Sequence, residues 1–244
     1  METLLFGVCS RPNNAEVRII DMKGGASFAH FSRVPHVKAI HADTSSAFEM
    51  ICELESIMWQ RLASIREARA NFVDPPRFKD IFLFIDEGGE LASAYAFDAE
   101  EKKLRSAIMG KLSTLARIGR EPFLHLVFGT QRPSDETLPV GIRGQLEFTI
   151  CFRTENELDS TIILRHPGAE KLKHIPGRCI VKTPNGEQEV QAAMVDRTLL
   201  MAFLQSYKVD TSIPSPPSEP LDIVDAPNGL ASSTSITDIT SAWE

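Results

Sequence analysis

Apolar and polar positions alternate between two periods along this chain, and the switches between them mark out its elements. Asp80-Ile81-Phe82-Leu83-Phe84-Ile85 is a continuous apolar run of strand length, as expected for a strand buried on both faces inside a parallel sheet. Val17-Arg18-Ile19-Ile20 before Asp21 reads the same way. Between them the period changes: Ala47, Ile51, Leu54, Met58, Leu62 and Ile65 form a helical stripe, with Asp43 or Thr44 to start it and Asn71 ahead of Pro75-Pro76 to end it. A second helix is predicted from about Glu100 to Ile118, closing with Gly119. Strands are predicted at 123–129, 147–153, 178–182 and 189–195. Strands alternating with helices point to a doubly wound α/β sheet with a mixed edge.

Both central strands end in acids. The Asp80–Ile85 run delivers Asp86 and Glu87, and the upstream strand delivers Asp21. Carboxylates at the carboxyl ends of parallel strands stand where α/β folds bind ligands. One acid can hold a magnesium ion through water, and its neighbour can polarise an attacking water. An ordinary strand with a polar exit is the plain alternative, and the downstream residues decide between them.

Those residues are Thr130-Gln131-Arg132-Pro133 at the end of the next strand, then Asp159-Ser160, Leu164 and Gly168-Ala169-Glu170-Lys171-Leu172. In this order and spacing the chain resembles the motor domain of the FtsK/SpoIIIE family of hexameric DNA translocases, from about Leu4 to Val195. The resemblance implies a RecA-like P-loop NTPase fold, with ATP and Mg²⁺ as cofactors. It makes Asp86 the holder of a metal-bound water, Glu87 the base that activates water, and Gln131 the sensor of the terminal phosphate. It places Arg120 where the family presents an arginine across the subunit interface to the neighbour's nucleotide. An always-charged planar fork suits that role, although a surface arginine capping the preceding helix would look the same. It also makes Arg132 and Arg143 candidate contacts to the DNA backbone. Glu157 departs from the pattern, because it falls where the family often has a lysine.

A larger departure is a missing loop. No G-x-x-x-x-G-K-[ST] occurs in the 244 residues. Gly110-Lys111-Leu112 lacks the upstream glycine and the hydroxyl, and Gly24-Gly25 has its lysine in front rather than behind. The resemblance puts the phosphate-loop strand one helix before the Asp21 strand, with Met1-Glu2-Thr3-Leu4-Leu5 as the C-terminal part of that helix. The expected fold is therefore a RecA-like sheet lacking its first, phosphate-loop strand. Removing a central strand should leave unpaired backbone on both sides of a gap. The sheet must then close up, recruit a strand from a partner chain, or be unstable. Hydrolysis by this chain alone is not expected.

Composition adjusts this reading at a few points. The net charge is −7, but Asp210, Glu219, Asp222, Asp225, Asp238 and Glu244 account for six of it, with no Lys or Arg after Val209. The body is near neutral, which permits DNA binding through local basic loops and argues no further. Residues 1–208 are expected to form the partial motor domain. Residues 209–244, rich in Pro, Ser and Thr, are expected to be a disordered acidic tail. No winged-helix module follows the motor pattern, which tilts the expectation towards a plasmid or conjugative-element relative. Four scattered cysteines without a C-x-x-C pair read as reduced core thiols, and no apolar stretch is long enough to span a bilayer. A bacterial cytoplasmic setting is expected, reaching the inner face of the membrane only through partners. His30, His36 and His41 are irregularly spaced around Pro35 and read as a solvated loop rather than a metal site.

Three functions are compatible with these residues. The first is part of an ATP-dependent double-stranded DNA translocase acting in DNA transfer or segregation, in a homo- or hetero-hexameric ring, with the phosphate loop supplied by a partner chain or an upstream reading frame. The second is a catalytically incompetent fragment that joins or regulates a motor ring through its Arg120 edge. The third is an unrelated metal-dependent hydrolase using Asp21, Asp86 and Glu87, which leaves the Thr-Gln-Arg-Pro and Gly-Ala-Glu matches unexplained.

Overall fold

The computed structural model describes residues 1–11 and 15–207; the acidic tail predicted from 209 onward lies outside the described residues. In chain order the elements are α1 (Glu2–Cys9), β1 (Ala15–Asp21), β2 (Val37–His41), α2 (Thr44–Ala70), β3 (Asp80–Asp86), α3 (Ala99–Ile118), β4 (Leu124–Phe128), α4 (Val140–Arg143), β5 (Thr149–Phe152), α5 (Glu157–Leu164), β6 (Arg178–Thr183), β7 (Gly186–Gln191) and α6 (Arg197–Ser206). Strands β2-β1-β3-β4 make one parallel sheet in that order.

Alternation along β3 shows how the layers form. Ile81, Leu83 and Ile85 face a core shared with α2, α3 and α4, built on Leu54, Met58, Ile108, Leu112 and Ile142. Phe82 and Phe84 face the other side, against α1, α6 and the Phe28–Val34 segment. A strand apolar at every position from Ile81 to Ile85 is thus packed between two helical layers, as its sequence requires. Each fully buried Leu, Ile or Met of the α2 stripe is worth about 1.5–3 kcal/mol relative to exposure. Asp43 caps α2 by accepting from the Ser46 N–H at 2.9 Å, and Asp98 caps α3 by accepting from the Glu101 N–H.

The remaining strands correct the expected mixed edge. β5, β6 and β7 form an antiparallel sheet of their own rather than extending the parallel one. Among the described residues β4 pairs only with β3, and β5 only with β6. The sheet therefore does not close over the expected gap. The last strand also shifts: β7 spans 186–191 rather than 189–195, because Thr183 and Gly186 pair across a tight turn with Gly186 at φ 128°. The three polar residues after that glycine hid the strand from an apolar-period reading.

The histidine segment is not a solvated loop. His36 is buried and its Nε2 meets the Cys9 carbonyl oxygen at 2.9 Å, with burial pushing its pKa down. His41 ends β2, and His30 pairs with Glu2 at 3.0 Å. Val37, Ala39 and Ile40 pack into the two cores, which makes this short run a strand. No cluster of metal-ligating side chains occurs among the described residues, and none of their helices is long and apolar enough to cross a membrane.

Candidate nucleotide site at the carboxyl edge of the parallel sheet

β1 and β3 run in register, so Asp21 and Asp86 are cross-strand neighbours at the carboxyl edge. They have different jobs. Asp21 is fully buried and accepts from the Lys23 N–H and the Ser27 N–H, each at 3.0 Å, which folds the loop after β1. Asp21 has no exposed surface and its oxygens fold that loop, so nothing here supports the metal-ligand role weighed for it. Asp86 is half-buried; burial pushes its pKa up, and the nearby Lys23 ammonium pulls it partly back.

Glu87 follows in the left-handed conformation, φ 54° and ψ 44°. A non-glycine residue there costs roughly 1–2 kcal/mol, which the surroundings must hold in place. They do so at three points. The Gln131 backbone N–H donates to Glu87 Oε1 at 3.1 Å, Lys23 Nζ stands 3.4 Å from Oε2, and the Gly88 N–H donates to the Gly129 carbonyl at 2.8 Å. The Asp-Glu strand and the Thr-Gln strand are thereby joined at their ends. Gln131 meets Glu87 through its main chain, leaving its exposed side chain at the rim.

The N-terminus of α1 completes the edge. A β-carbon on Gly129 would lie 2.6 Å from Met1 Cε and 3.6 Å from Asp86 Oδ1, so Met1, Gly129 and Asp86 meet at one point. The chain's amino group also lowers the Asp86 pKa.

The arginines are placed very differently. Arg120 precedes β4 and so lies at the amino edge, about 16 Å of strand away from Gly129. Its guanidinium does not cap α3: it is 81% exposed and donates to Glu147 at 2.9 Å. It cannot serve Glu87 of its own chain. Arg143 is 17% exposed and binds the Ile162 carbonyl at 2.8 Å and Asp135 at 3.0 Å, bridging α4 to α5. Arg132 is exposed, and its carbonyl accepts from the buried Thr137 hydroxyl at 2.8 Å, which fixes the loop that carries it. Glu157 is the first residue of α5, where an acid complements the helix dipole.

Sequence reasoning missed Lys23 and the glycine pair. A lysine two residues beyond an acid-terminated strand was the available signal for the first. Gly88 and Gly89 have a tertiary reason: added β-carbons would meet the Phe128 ring at 2.4 Å and Thr130 Oγ1 at 3.1 Å.

The fold is an α/β fold of the P-loop ATPase type. In solved structures the chain is similar to the pCW3 conjugation coupling protein TcpA (TM-score 0.74, 24% identity, 84% of this chain and 59% of that one). It is also similar to the cytoplasmic domain of the type VII secretion ATPase EccC of Thermomonospora curvata (TM-score 0.59, 21% identity, 85% and 26%). No protein-family model matches the sequence. Curated relatives include the ESX-4 secretion system protein EccC4 of Mycobacterium tuberculosis, 23% identical over 205 residues. The DNA translocases FtsK of Helicobacter pylori and Corynebacterium efficiens are each 28% identical, over 174 and 195 residues. These matches cover 77%, 66% and 80% of this chain but only 16%, 19% and 17% of the relatives. Together they support an FtsK/SpoIIIE-type motor domain.

Proposed function

We propose that this chain is part of an ATP-dependent double-stranded DNA translocase, with its nucleotide site at the Asp86–Glu87 edge and a phosphate-binding loop supplied from outside these 244 residues. The observation that carries the reading is that Asp86, Glu87, Lys23 and the Gln131 amide lie together at the carboxyl edge of the sheet. That donor and acceptor set fits Mg-ATP. Asp86 would hold the magnesium ion through water, and the ion would neutralise phosphate charge when bound.

Glu87 keeps spare lone pairs beyond those facing Gln131 and Lys23, so it can accept a proton from water. The Gln131 amide holds that carboxylate in place, and its exposed side chain is free to reach a terminal phosphate. Arg120, at the opposite edge, serves a neighbour in a homo- or hetero-hexameric ring. Arg132 presents its charge from a loop pinned by Thr137, which suits a phosphate of duplex DNA. Arg143 would reach DNA only by giving up Asp135. Residues 1–208 form the motor part in this reading, working on the cytoplasmic side of a bacterial membrane in DNA transfer or segregation.

The secretion-system relatives favour a second reading, in which the same motor moves polypeptide. DNA-stimulated ATP hydrolysis separates the two. The chain is joined at Met1 to a strand and phosphate loop taken from TcpA. Turnover that rises with duplex DNA and is abolished in Glu87→Gln supports the proposal. Turnover indifferent to DNA supports the second reading, and no turnover while a wild-type ring is inhibited marks a regulator of motor rings.

A further inference from the structure

Lys23 has a fixed main chain and a loosely partnered side chain. Its backbone N–H donates to the buried Asp21 carboxylate at 3.0 Å, and the Gly25 N–H donates to the Asp21 carbonyl at 3.2 Å. Gly24 and Gly25 take φ 82° and 74°, the left-handed turn that glycine permits. A β-carbon on Gly25 would lie 3.3 Å from Ala42 Cβ, so the loop is also close to β2 and its exit. The buried acid and the two glycines together set where Lys23 stands.

Its ammonium is held far less firmly. Nζ stands 3.4 Å from Glu87 Oε2, whereas a closed ion pair of this kind is about 2.7–2.9 Å. Lys182 and Glu187 make such a closed pair in the same chain, at 2.9 Å. Among the described residues Lys23 Nζ has no other ion-pair partner, and its side chain stays 41% exposed while that of Glu87 is 12% exposed. The same ammonium also acts on Asp86. One cation thus faces two carboxylates at the carboxyl edge, with N–H donors left over for a further acceptor. A pair needed only for the fold would close.

Resting on the nucleotide site proposed above, we propose that Lys23 exchanges partners: without nucleotide it pairs with Glu87, and with a nucleoside triphosphate it leaves Glu87 for the terminal phosphate. A phosphate group carries more negative charge than one carboxylate and offers three acceptor oxygens, so it outcompetes a single loose contact. Because the main chain of Lys23 is fixed, the exchange is a side-chain movement alone. It uncovers Glu87 Oε2 for water while the Gln131 amide still holds Oε1 at 3.1 Å. The base is thereby opened only when a terminal phosphate is present. A nucleoside diphosphate lacks that group and leaves Lys23 on Glu87, so Lys23 is the residue of this chain that tells the two nucleotides apart.

The test is calorimetric binding of Mg-ATPγS and Mg-ADP to the full chain joined at Met1 to the TcpA strand and phosphate loop, as wild type, Lys23→Met, Glu87→Gln and the double variant. Lys23→Met should weaken Mg-ATPγS by about tenfold or more, the size of one charge-assisted hydrogen bond, and leave Mg-ADP within about twofold. Glu87→Gln removes the competing partner, so it should tighten Mg-ATPγS more when Lys23 is present than in the Lys23→Met background. Thermal denaturation of the unjoined chain should give Lys23→Met the melting temperature of wild type. Equal loss of both nucleotides, loss of neither, equal effects of Glu87→Gln in the two backgrounds, or a Lys23→Met chain that melts well below wild type overturns the exchange and leaves the proposed function standing. A joined wild type that binds neither nucleotide overturns both.

Discussion

Gly88 lies flat against the ring of Phe128, with no room for a methyl group between them: an added β-carbon would be 2.4 Å from both Cε2 and Cζ. This contact seats the turn after Asp86 on the end of β4 and sets where Glu87 points. Gly88→Ala should therefore destabilise the fold by about 1–3 kcal/mol, lowering the melting temperature by roughly 2–4 °C per kcal/mol in a domain of this size. Phe128→Leu in the same chain should recover part of the stability. Thermal denaturation of the single and double variants checks both.

Glu87→Gln keeps the shape of the side chain but cannot take a proton from water. Where a phosphate loop is supplied, hydrolysis should fall by about 10²–10⁴-fold while nucleotide binding is retained. Steady-state turnover and binding isotherms on the same preparation separate the two effects.

Arg120→Ala should stop turnover in a uniform ring and be rescued by wild-type neighbours in mixed rings, because Arg120 lies at the edge opposite its own Glu87. The fold should be untouched, since an 81%-exposed ion pair with Glu147 contributes little to stability. Turnover is measured across a series of wild-type to variant ratios; a linear decline with no rescue would place Arg120 in its own site.

Arg132 and Arg143 should separate cleanly. Arg132→Ala should lower affinity alike for all duplexes and reduce the salt slope by about 0.9 for each phosphate it had neutralised, without changing the melting temperature. Arg143→Ala should lower the melting temperature, because it strips the Ile162 carbonyl and Asp135 of a shared donor. DNA binding against salt, paired with thermal denaturation, reads both.

Burial pushes the Cys9 thiol up to about 12 and the Cys151 thiol to about 11. Neither should react with iodoacetamide at neutral pH while the protein is folded, and both should react once it is denatured. Mass spectrometry of native and denatured samples gives the answer directly.

The parts of this fold that were legible in the sequence are those set by local pattern. The Asp80–Asp86 strand announced itself because both its faces are buried, and α2 because its stripe, its Asp43 cap and its stop before Pro75 agree. The parts that were hidden depend on tertiary partners. His36 looked solvated because nothing local shows that the Cys9 carbonyl will meet it. The polar run Glu187-Gln188-Glu189 concealed β7, since that hairpin is set by its turn at Gly186. Lys23 and Gly88 were missed because their roles exist only once β1, β3 and β4 lie side by side. Arg143 read as a candidate contact to the DNA backbone, and its bond to the Ile162 carbonyl could not be seen from spacing.

The central claim of the proposed function is that Asp86 and Glu87 serve a nucleotide whose phosphates are cradled by a loop outside these residues. Calorimetric titration with Mg-ATPγS tests this most directly, on the chain alone and on the chain joined at Met1 to the TcpA strand and phosphate loop. The chain alone should show no measurable binding, and the joined protein should bind in the micromolar range and more weakly in Asp86→Ala. Micromolar binding to the chain alone, or binding to the joined protein that is indifferent to Asp86, would contradict it.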